Sequence, residues 1–327
     1  MKKIKIAQIG ALHDHAAGIF PCMANYPDVF EIAGYATPDG EKPDYEYAYD
    51  GYKEITVDEI FNIPELEAVT IETGEHNLTK YAIEAAKRGL HVHMDKPGGI
   101  NPDEFDELIK IVKEKNLVLS MGYMYRFNPA VLEAKRLVQS GELGEIYAVE
   151  AQMNCYHPTE KRQWLEKFSG GMMFFLGCHL TDLVLQFMGE PEKIIPMNKV
   201  VGNEGTTSED YGFAAFEYKN GTSFVKTCAT ESGGYMRRQL VLCGTKGTIE
   251  IKPFEYPKED GIYSDMRICK STVWEAYGED KTFGPIKRYD DMMLHFAKEI
   301  RGEAERTVSL EYERMLHKAV LKSCGIN

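Results

Sequence analysis

Long apolar runs are missing from this sequence of 327 residues. No stretch approaches the roughly 18 residues that span a bilayer as a helix, so no membrane partner is expected. Basic runs are missing as well: no block of five or more Lys and Arg occurs, and the formal net charge is −13. Nucleic acid and anionic surfaces attract clustered cations, so no nucleic acid is expected as a partner either. Paired cysteines are also absent. The seven Cys are scattered without a C-x-x-C spacing, which fits reduced thiols in a cytoplasmic protein better than disulfides or a zinc site, and no metal is expected. The opening Met-Lys-Lys-Ile-Lys-Ile-Ala carries charge but no long apolar segment, and it reads as mature protein rather than a signal peptide. Repeats and low-complexity segments are lacking too.

What is present is enough apolar material, 43% of residues, to fill two cores in a chain too long for one. Strand and helix patterns alternate through the first part. Lys3 to Gly10, Phe30 to Ala36, Leu66 to Thr73, the segment around Val92 and Leu117 to Tyr123 read as strands. Between them, His13 to Tyr26 (with a kink at Pro21), Thr56 to Ile63, His76 to Gly89 and Asn101 to Asn116 read as helices, the last with Asn101 as cap and Pro102 at its first position. This alternation predicts a doubly wound parallel sheet, an α/β Rossmann domain over residues 1–124. After a helix from Asn128 to Gly141 the texture changes to long strands with short turns, among them 219–221 and 244–247, and two helices follow near the end. An α+β domain with a large, mainly antiparallel sheet is expected over residues 125–327. One face of such a sheet needs cover, which predicts a homodimer or homotetramer formed through it.

Four places carry candidate chemistry. The stretch LHVHMDKPGG puts Asp95-Lys96-Pro97 at the C-terminal end of a strand, where open α/β sheets bind ligands. Pro97 restricts the backbone of Lys96 to extended geometry; the plain alternative is a solvated turn lysine. After the first strand comes IGALHDHA, in which Gly10 is followed by Leu12 and His15 where a dinucleotide fingerprint has its other glycines. What remains is a helix N-terminus, which attracts phosphate, with His13 and His15 either adding donors or standing on the surface. At the end of the second strand stand Thr37 and Asp39; Asp39 is placed to reach a ribose or is a turn residue. No arginine is near to accept a 2′-phosphate, though Lys42 is, so the expected cofactor is NAD or NADP, with NAD leaned. Finally, Ser169 to Gly189 reads as a helix with His179, Asp182 and Gln186 on one face and Leu180, Val184 and Phe187 on the other.

Taken together these segments resemble the glucose–fructose oxidoreductase/inositol dehydrogenase (Gfo/Idh/MocA) family. Asp95-Lys96-Pro97 resembles its (E/D)KP motif, and Gly170-Gly171 through His179 and Asp182 its G-G-G…D-x-G-x-H-x-x-D segment. GYMYRFNPA (Gly122 to Ala130) is similar to its R-F-N-P turn, and GTKGTIEI to its late glycine turn. The resemblance implies a nicotinamide cofactor in the first domain and a small-molecule substrate. It implies that Lys96 bonds the reacting oxygen and His179 exchanges its proton, with Gly10, Leu12, His13, His15, Thr37, Asp39, Thr73, Glu75, His76, Asp95 and Pro97 along the cofactor. Arg126, Tyr156, Trp164, Phe175 and Asp182 are expected around the substrate. Phe175 stands where sugar and inositol dehydrogenases of the family carry aspartate, and Gly74-Glu75 replace a usual Pro-Asn. The expected function is an NAD(P)-dependent dehydrogenase or reductase acting on a small polyol, sugar or related carbonyl. The alternatives are a non-catalytic nucleotide-binding regulator and an NAD-dependent glycoside-cleaving enzyme.

Overall fold

The computed structural model describes residues 2–43, 45–202 and 204–326. In the first unit β1 (Ile4–Ile9), β2 (Phe30–Ala36), β3 (Ala68–Ile71), β4 (His91–Met94) and β5 (Leu119–Met121) form a five-stranded sheet in the order β2-β1-β3-β4-β5. Every ladder in it is parallel. The chain leaves β1 for β2 on one side and returns to β3 on the other. That order reversal opens a crevice at the carboxyl ends of β1 and β3.

Helices α1 (Ala16–Ala24), α2 (Val57–Phe61), α3 (Leu78–Lys87) and α4 (Pro102–Glu114) connect these strands. Local chemistry sets their ends. Thr56 and Glu59 form a reciprocal capping box on α2, and the Asn101 side chain accepts from Asp103 N with Pro102 at the first turn of α4. α1 is shorter than the sequence pattern suggested. It begins at Ala16 and runs on across Pro21, so His13 and His15 belong to the turn before it.

In the second unit a turn over 124–127 leads to α5 (Pro129–Gln139), capped by Asn128. Then come β6 (Ile146–Asn154), α6 (Thr159–Trp164) and α7 (Cys178–Met188). The remaining strands are β7 (Lys193–Pro196), β8 (Tyr211–Tyr218), β9 (Gly221–Cys228), β10 (Gln239–Gly244), β11 (Gly247–Ile251), β12 (Tyr256–Lys258), β13 (Gly261–Cys269) and β14 (Glu279–Ile286). With β6 they make a nine-stranded sheet in which β12-β13-β11-β10-β6-β9-β8-β7 are neighbours and β14 pairs with β13. The β6–β9 ladder is parallel and the other ladders are antiparallel. Both expected tight turns close two-residue hairpins, between Tyr218 and Gly221 and between Gly244 and Gly247. One face, including Val149, Ala151, Ala214, Phe216, Leu240 and Leu242, is buried, and α7 packs on β6 and β9.

The chain then ends in α8 (Asp290–Ile300) and α9 (Leu310–Ser323). A division at 124/125 left this whole segment with the second domain. Instead Tyr289–His317 packs with the first unit. The reason is a set of long-range contacts that no local pattern encodes. Tyr26 donates to Asp290 at 2.6 Å, Arg301 pairs with Glu67 at 2.9 Å, Arg306 donates to the Leu117 carbonyl at 2.6 Å, and His317 stacks on Phe105 at 4.3 Å.

A hollow of about 880 Å³ lined by His91, Asn116, Leu117, Glu299 and Arg306 lies at the amino ends of β4 and β5, away from the motif residues. Burial pushes the Glu299 carboxyl up from 4.5 to about 7, with Arg306 and a bond from Thr307 N opposing and Glu313 reinforcing the shift. The folded chain therefore keeps a proton that the unfolded chain releases, so this group lowers stability as pH rises from 4.5 to about 7. Glu299→Gln removes that exchange. In thermal melts its Tm relative to wild type is expected to be higher near pH 8 than near pH 5; a pH-independent difference would contradict the assignment.

Candidate functional site

At the carboxyl ends of β1, β3 and β4 the first unit gathers His13, His15, Glu72, His93, Asp95 and Lys96, all buried. The β1–α1 turn is what brings the two turn histidines there. Gly10 takes φ +96°, and a Cβ on it would stand 2.2 Å from Thr73 N, so glycine is required at this point. The amides of Leu12 and His13 both donate to the Glu72 carbonyl at 3.1 Å. The turn is thus tied down onto β3. His13 Nε2 lies 3.1 Å from the Lys96 carbonyl. A carbonyl only accepts, so Nε2 carries the proton and Nδ1 presents a lone pair. His15 Nδ1 lies 3.0 Å from Asp95 Oδ2, and Lys96 N donates to Asp95 Oδ1 at 2.6 Å. The backbone of Lys96 is therefore gripped on both sides, and its side chain is buried rather than solvated as a turn lysine would be.

Burial sets the charge states here. It lowers His13 to about 3 and His93 to about 4, leaving both imidazoles neutral. Burial and the neighbouring Asp95 hold the Glu72 carboxyl well above the usual range. Burial works against the charge of Asp95 too, but His13, the bonded His15 and Lys96 keep its carboxyl well below that range.

The other residues expected along a cofactor divide into two sets. Thr73 and Glu75 are buried beside the turn and His76 is exposed. Pro97 follows Lys96 and is buried. Thr37 donates to Glu54. Asp39 accepts from Tyr81 at 2.8 Å and from Asn77 at 3.2 Å, with Lys80 3.5 Å away, so α3 already engages it. Glu41, which no sequence pattern singled out, has one carboxylate oxygen 2.8 Å from Gly74 N and the other 3.4 Å from Ala11 N. A negative group thus already bridges amides on either side of the Gly10 turn. That is the test of whether the turn suits the phosphates of a dinucleotide, and the residues fit: the carboxylate stands in for a phosphate oxygen.

In the second unit His179 is the second residue of α7 and is buried. The helix is entered through a π-helical turn, Met173–Gly177, preceded by Gly170 and Gly171. A Cβ on these would stand 2.4 Å from the Cys324 Cβ and 2.5 Å from the Glu209 carbonyl oxygen respectively. Phe175 meets Trp164 at 5.4 Å and has the Lys161 ammonium 4.7 Å from its ring. His179 meets the ring of Tyr125 edge-on at 5.0 Å. Tyr125 in turn donates to Glu255 at 2.9 Å. Trp164 is half-buried and Tyr156 exposed. Arg126 and Asp182, expected near substrate, are committed to one another: Arg126 Nη2 and Nε contact the carboxylate at 2.8 and 3.1 Å, and both residues are buried. The pair holds the 124–127 turn to α7, and the polar face of that helix is a packed face.

Residues 10–123 match a family model described as an oxidoreductase family with an NAD-binding Rossmann fold. Residues 131–250 match the GFO/IDH/MocA C-terminal domain. The chain belongs to the Gfo/Idh/MocA family of NAD-binding oxidoreductases, and it is an enzyme of that class. The uncharacterized oxidoreductase YhhX of Escherichia coli K12 is 26% identical over 310 residues, covering 91% of this chain and 85% of the relative. The scyllo-inositol 2-dehydrogenase (NADP(+)) IolW of Bacillus subtilis 168 is 28% identical over 164 residues, 50% of this chain and 46% of that protein. The crystal structure of an aldose-aldose oxidoreductase from Caulobacter crescentus shares the fold, with TM-score 0.79 at 19% identity over 99% of this chain and 98% of the other.

A dinucleotide phosphate seeking the amides of Ala11 and Gly74 competes with Glu41. Glu41→Gln keeps the shape and removes the charge. It is expected to tighten NADH binding several-fold in a fluorescence titration, and weaker binding would show that Glu41 supports the cofactor rather than standing in its place.

Proposed function

We propose that this chain is an NAD(P)-dependent dehydrogenase or reductase acting on a small polyol, sugar or related carbonyl. The observation that carries the proposal is the buried Lys96 at the mouth of β4, with its carbonyl held by His13 and its amide by Asp95. The bound nicotinamide supplies the hydride acceptor or donor. The protein then has to stabilise charge on the reacting oxygen and move one proton. Lys96 is the candidate for the first task, because a fixed cation away from water stabilises an alkoxide strongly. His179 is the candidate for the second: it takes the hydroxyl proton in oxidation and returns it in reduction. IolW is named for an inositol, which supports a polyol class. Phe175, Trp164 and Lys161 form an aromatic and cationic cluster in the second unit, at a position where sugar and inositol dehydrogenases of the family carry aspartate, which supports a substrate with an apolar ring face or a less polar carbonyl. Gly10, Leu12, His13, His15, Thr73, Glu75 and Pro97 are the proposed cofactor contacts, with Thr37, Asp39 and His76 at its edge.

We also infer association through the sheet of the second unit. The face opposite its core carries Phe213 stacked on Phe224 at 5.6 Å, both half-buried, and Trp274 is 97% exposed. Light scattering is expected to give a mass of two or four chains, and a particle of 37.1 kDa at micromolar concentration would refute this.

The functional test is an absorbance screen of polyols, sugars and carbonyls with both cofactors, followed by variants on whichever substrate turns over. Lys96→Met is expected to lower kcat by ~100-fold or more, the usual loss for one oxyanion donor, with NADH affinity changed only slightly. His179→Asn is expected to lower kcat as well. Phe175→Asp is expected to shift preference toward more polar sugar alcohols. Wild-type turnover in both Lys96→Met and His179→Asn would remove the roles assigned to them.

A further inference from the structure

The cluster beneath the β1–α1 turn has more donors than a dehydrogenase needs. Glu72 follows β3, His93 lies within β4 and Asp95 follows it; all three are fully buried, and one ligand atom from each lies within 4.8 Å of the others. Among the described residues no N–H or hydroxyl donor reaches either oxygen of Glu72, whose hydrogen-bonding neighbour is the Asp95 carboxyl, and His93 Nε2, which faces Glu72 Oε1 at 3.9 Å, has no hydrogen-bond partner. Buried carboxylates are costly unless paired or bound to a cation. His13 adds a fourth donor. Its Nδ1 lone pair stands 3.4 Å from Asp95 Oδ2 and 3.9 Å from Glu72 Oε2.

We propose that Glu72, His93, Asp95 and His13 bind one divalent transition-metal ion of the zinc class. Two imidazoles and two carboxylates are the donor set such ions take, and around a tetrahedral centre neighbouring donors sit roughly 3.4 Å apart. The His13–Asp95, His13–Glu72 and His93–Glu72 separations of 3.4, 3.9 and 3.9 Å are close to that spacing. The outer contacts are those of metal-binding histidines, which bond through the second ring nitrogen to a fixed partner. His13 Nε2 is held at the Lys96 carbonyl and His93 Nδ1 lies 3.3 Å from the Ser120 hydroxyl. His15 and Lys96 N hold Asp95 from the other side. His13 Nδ1 now accepts from His15 N at 3.2 Å, a bond the ion replaces. With every donor buried the site is closed. Its role is to pin the ends of β3 and β4 and the turn together beneath Lys96. It departs from the expectation of a metal-free chain drawn from its cysteines, since the donors are histidines and carboxylates from three separate stretches.

The competing account is a proton shared by Glu72 and Asp95, and the test separates the two. Tag-free chain is stripped with a chelator, then titrated with Zn²⁺ while metal content and thermal unfolding are measured. One equivalent per chain is expected to bind and to raise Tm by ~4 °C or more. Glu72→Gln and His93→Gln are each expected to weaken Zn²⁺ binding by at least ~100-fold, beyond the loss typical of outer-shell changes. Co²⁺ bound to the wild type is expected to show visible bands of a tetrahedral N/O site, a readout that needs no variant to fold. A stripped chain that takes up neither ion would overturn the proposal. So would a thiolate charge-transfer band, Zn²⁺ stoichiometry unchanged in both variants, or a Glu72→Gln chain that melts higher than wild type with no response to metal.

Discussion

Two carboxylates buried at neighbouring strand ends, Glu72 and Asp95, are the constraint to which the working edge of the parallel sheet answers. Neither reaches water, and the fold surrounds them with imidazoles and backbone amides instead. The turn after β1 bends down to do so. Leu12 and His15 stand where a glycine-rich loop has its other glycines, and the turn is anchored by side chains instead, from His15 to Asp95 and from His13 to the carbonyl of Lys96. Gly10 alone keeps its glycine, where backbone crowds backbone. The degraded fingerprint is thus a different way of fixing the same turn, and the position of Lys96 follows from it.

The second unit solves a parallel problem with another ion pair. Arg126 and Asp182 are buried together, and removing either would strand the other's charge, the costly case for buried pairs. The pair fixes α7 against the turn that carries Tyr125, and Tyr125 sets the edge-on contact with His179. The π-helical turn before α7 gives Phe175 its own surroundings of Trp164 and Lys161.

Much of the fold was legible because it is periodic. The strand around Val92, the cap at Asn101, the helix between His76 and Gly89 and the two tight turns all appear where their patterns stand. The (E/D)KP and histidine segments gave the family, and the two domain matches agree with it. What stayed hidden depends on residues that meet only after folding. Glu41 reaches the amides of residues 11 and 74 from a loop with no distinguishing pattern. Glu72 and His93 read as ordinary members of apolar strands, and their approach to His13 is a product of strand order. Arg126 and Asp182 looked like ligand contacts because a polar residue's partner cannot be seen in one dimension. The return of Tyr289–His317 to the first unit was invisible for the same reason.

That return has a consequence for how the molecule is made. The first unit is discontinuous along the chain, with Tyr125–Arg288 of the second threaded between its two parts and the last residues from Lys318 returning to the second. During synthesis the N-terminal strands emerge first, yet Phe296, which lies 5.9 Å from His93, and Tyr289, 5.5 Å from His15, arrive last. The intervening unit has most of its own contacts available before then. The order of completion is thus inverted relative to the order of synthesis. The half that holds the nucleotide-binding turn stays open until the final helices arrive, so a chain cut short near 288 keeps its second unit's sheet while losing the closed working edge of its first.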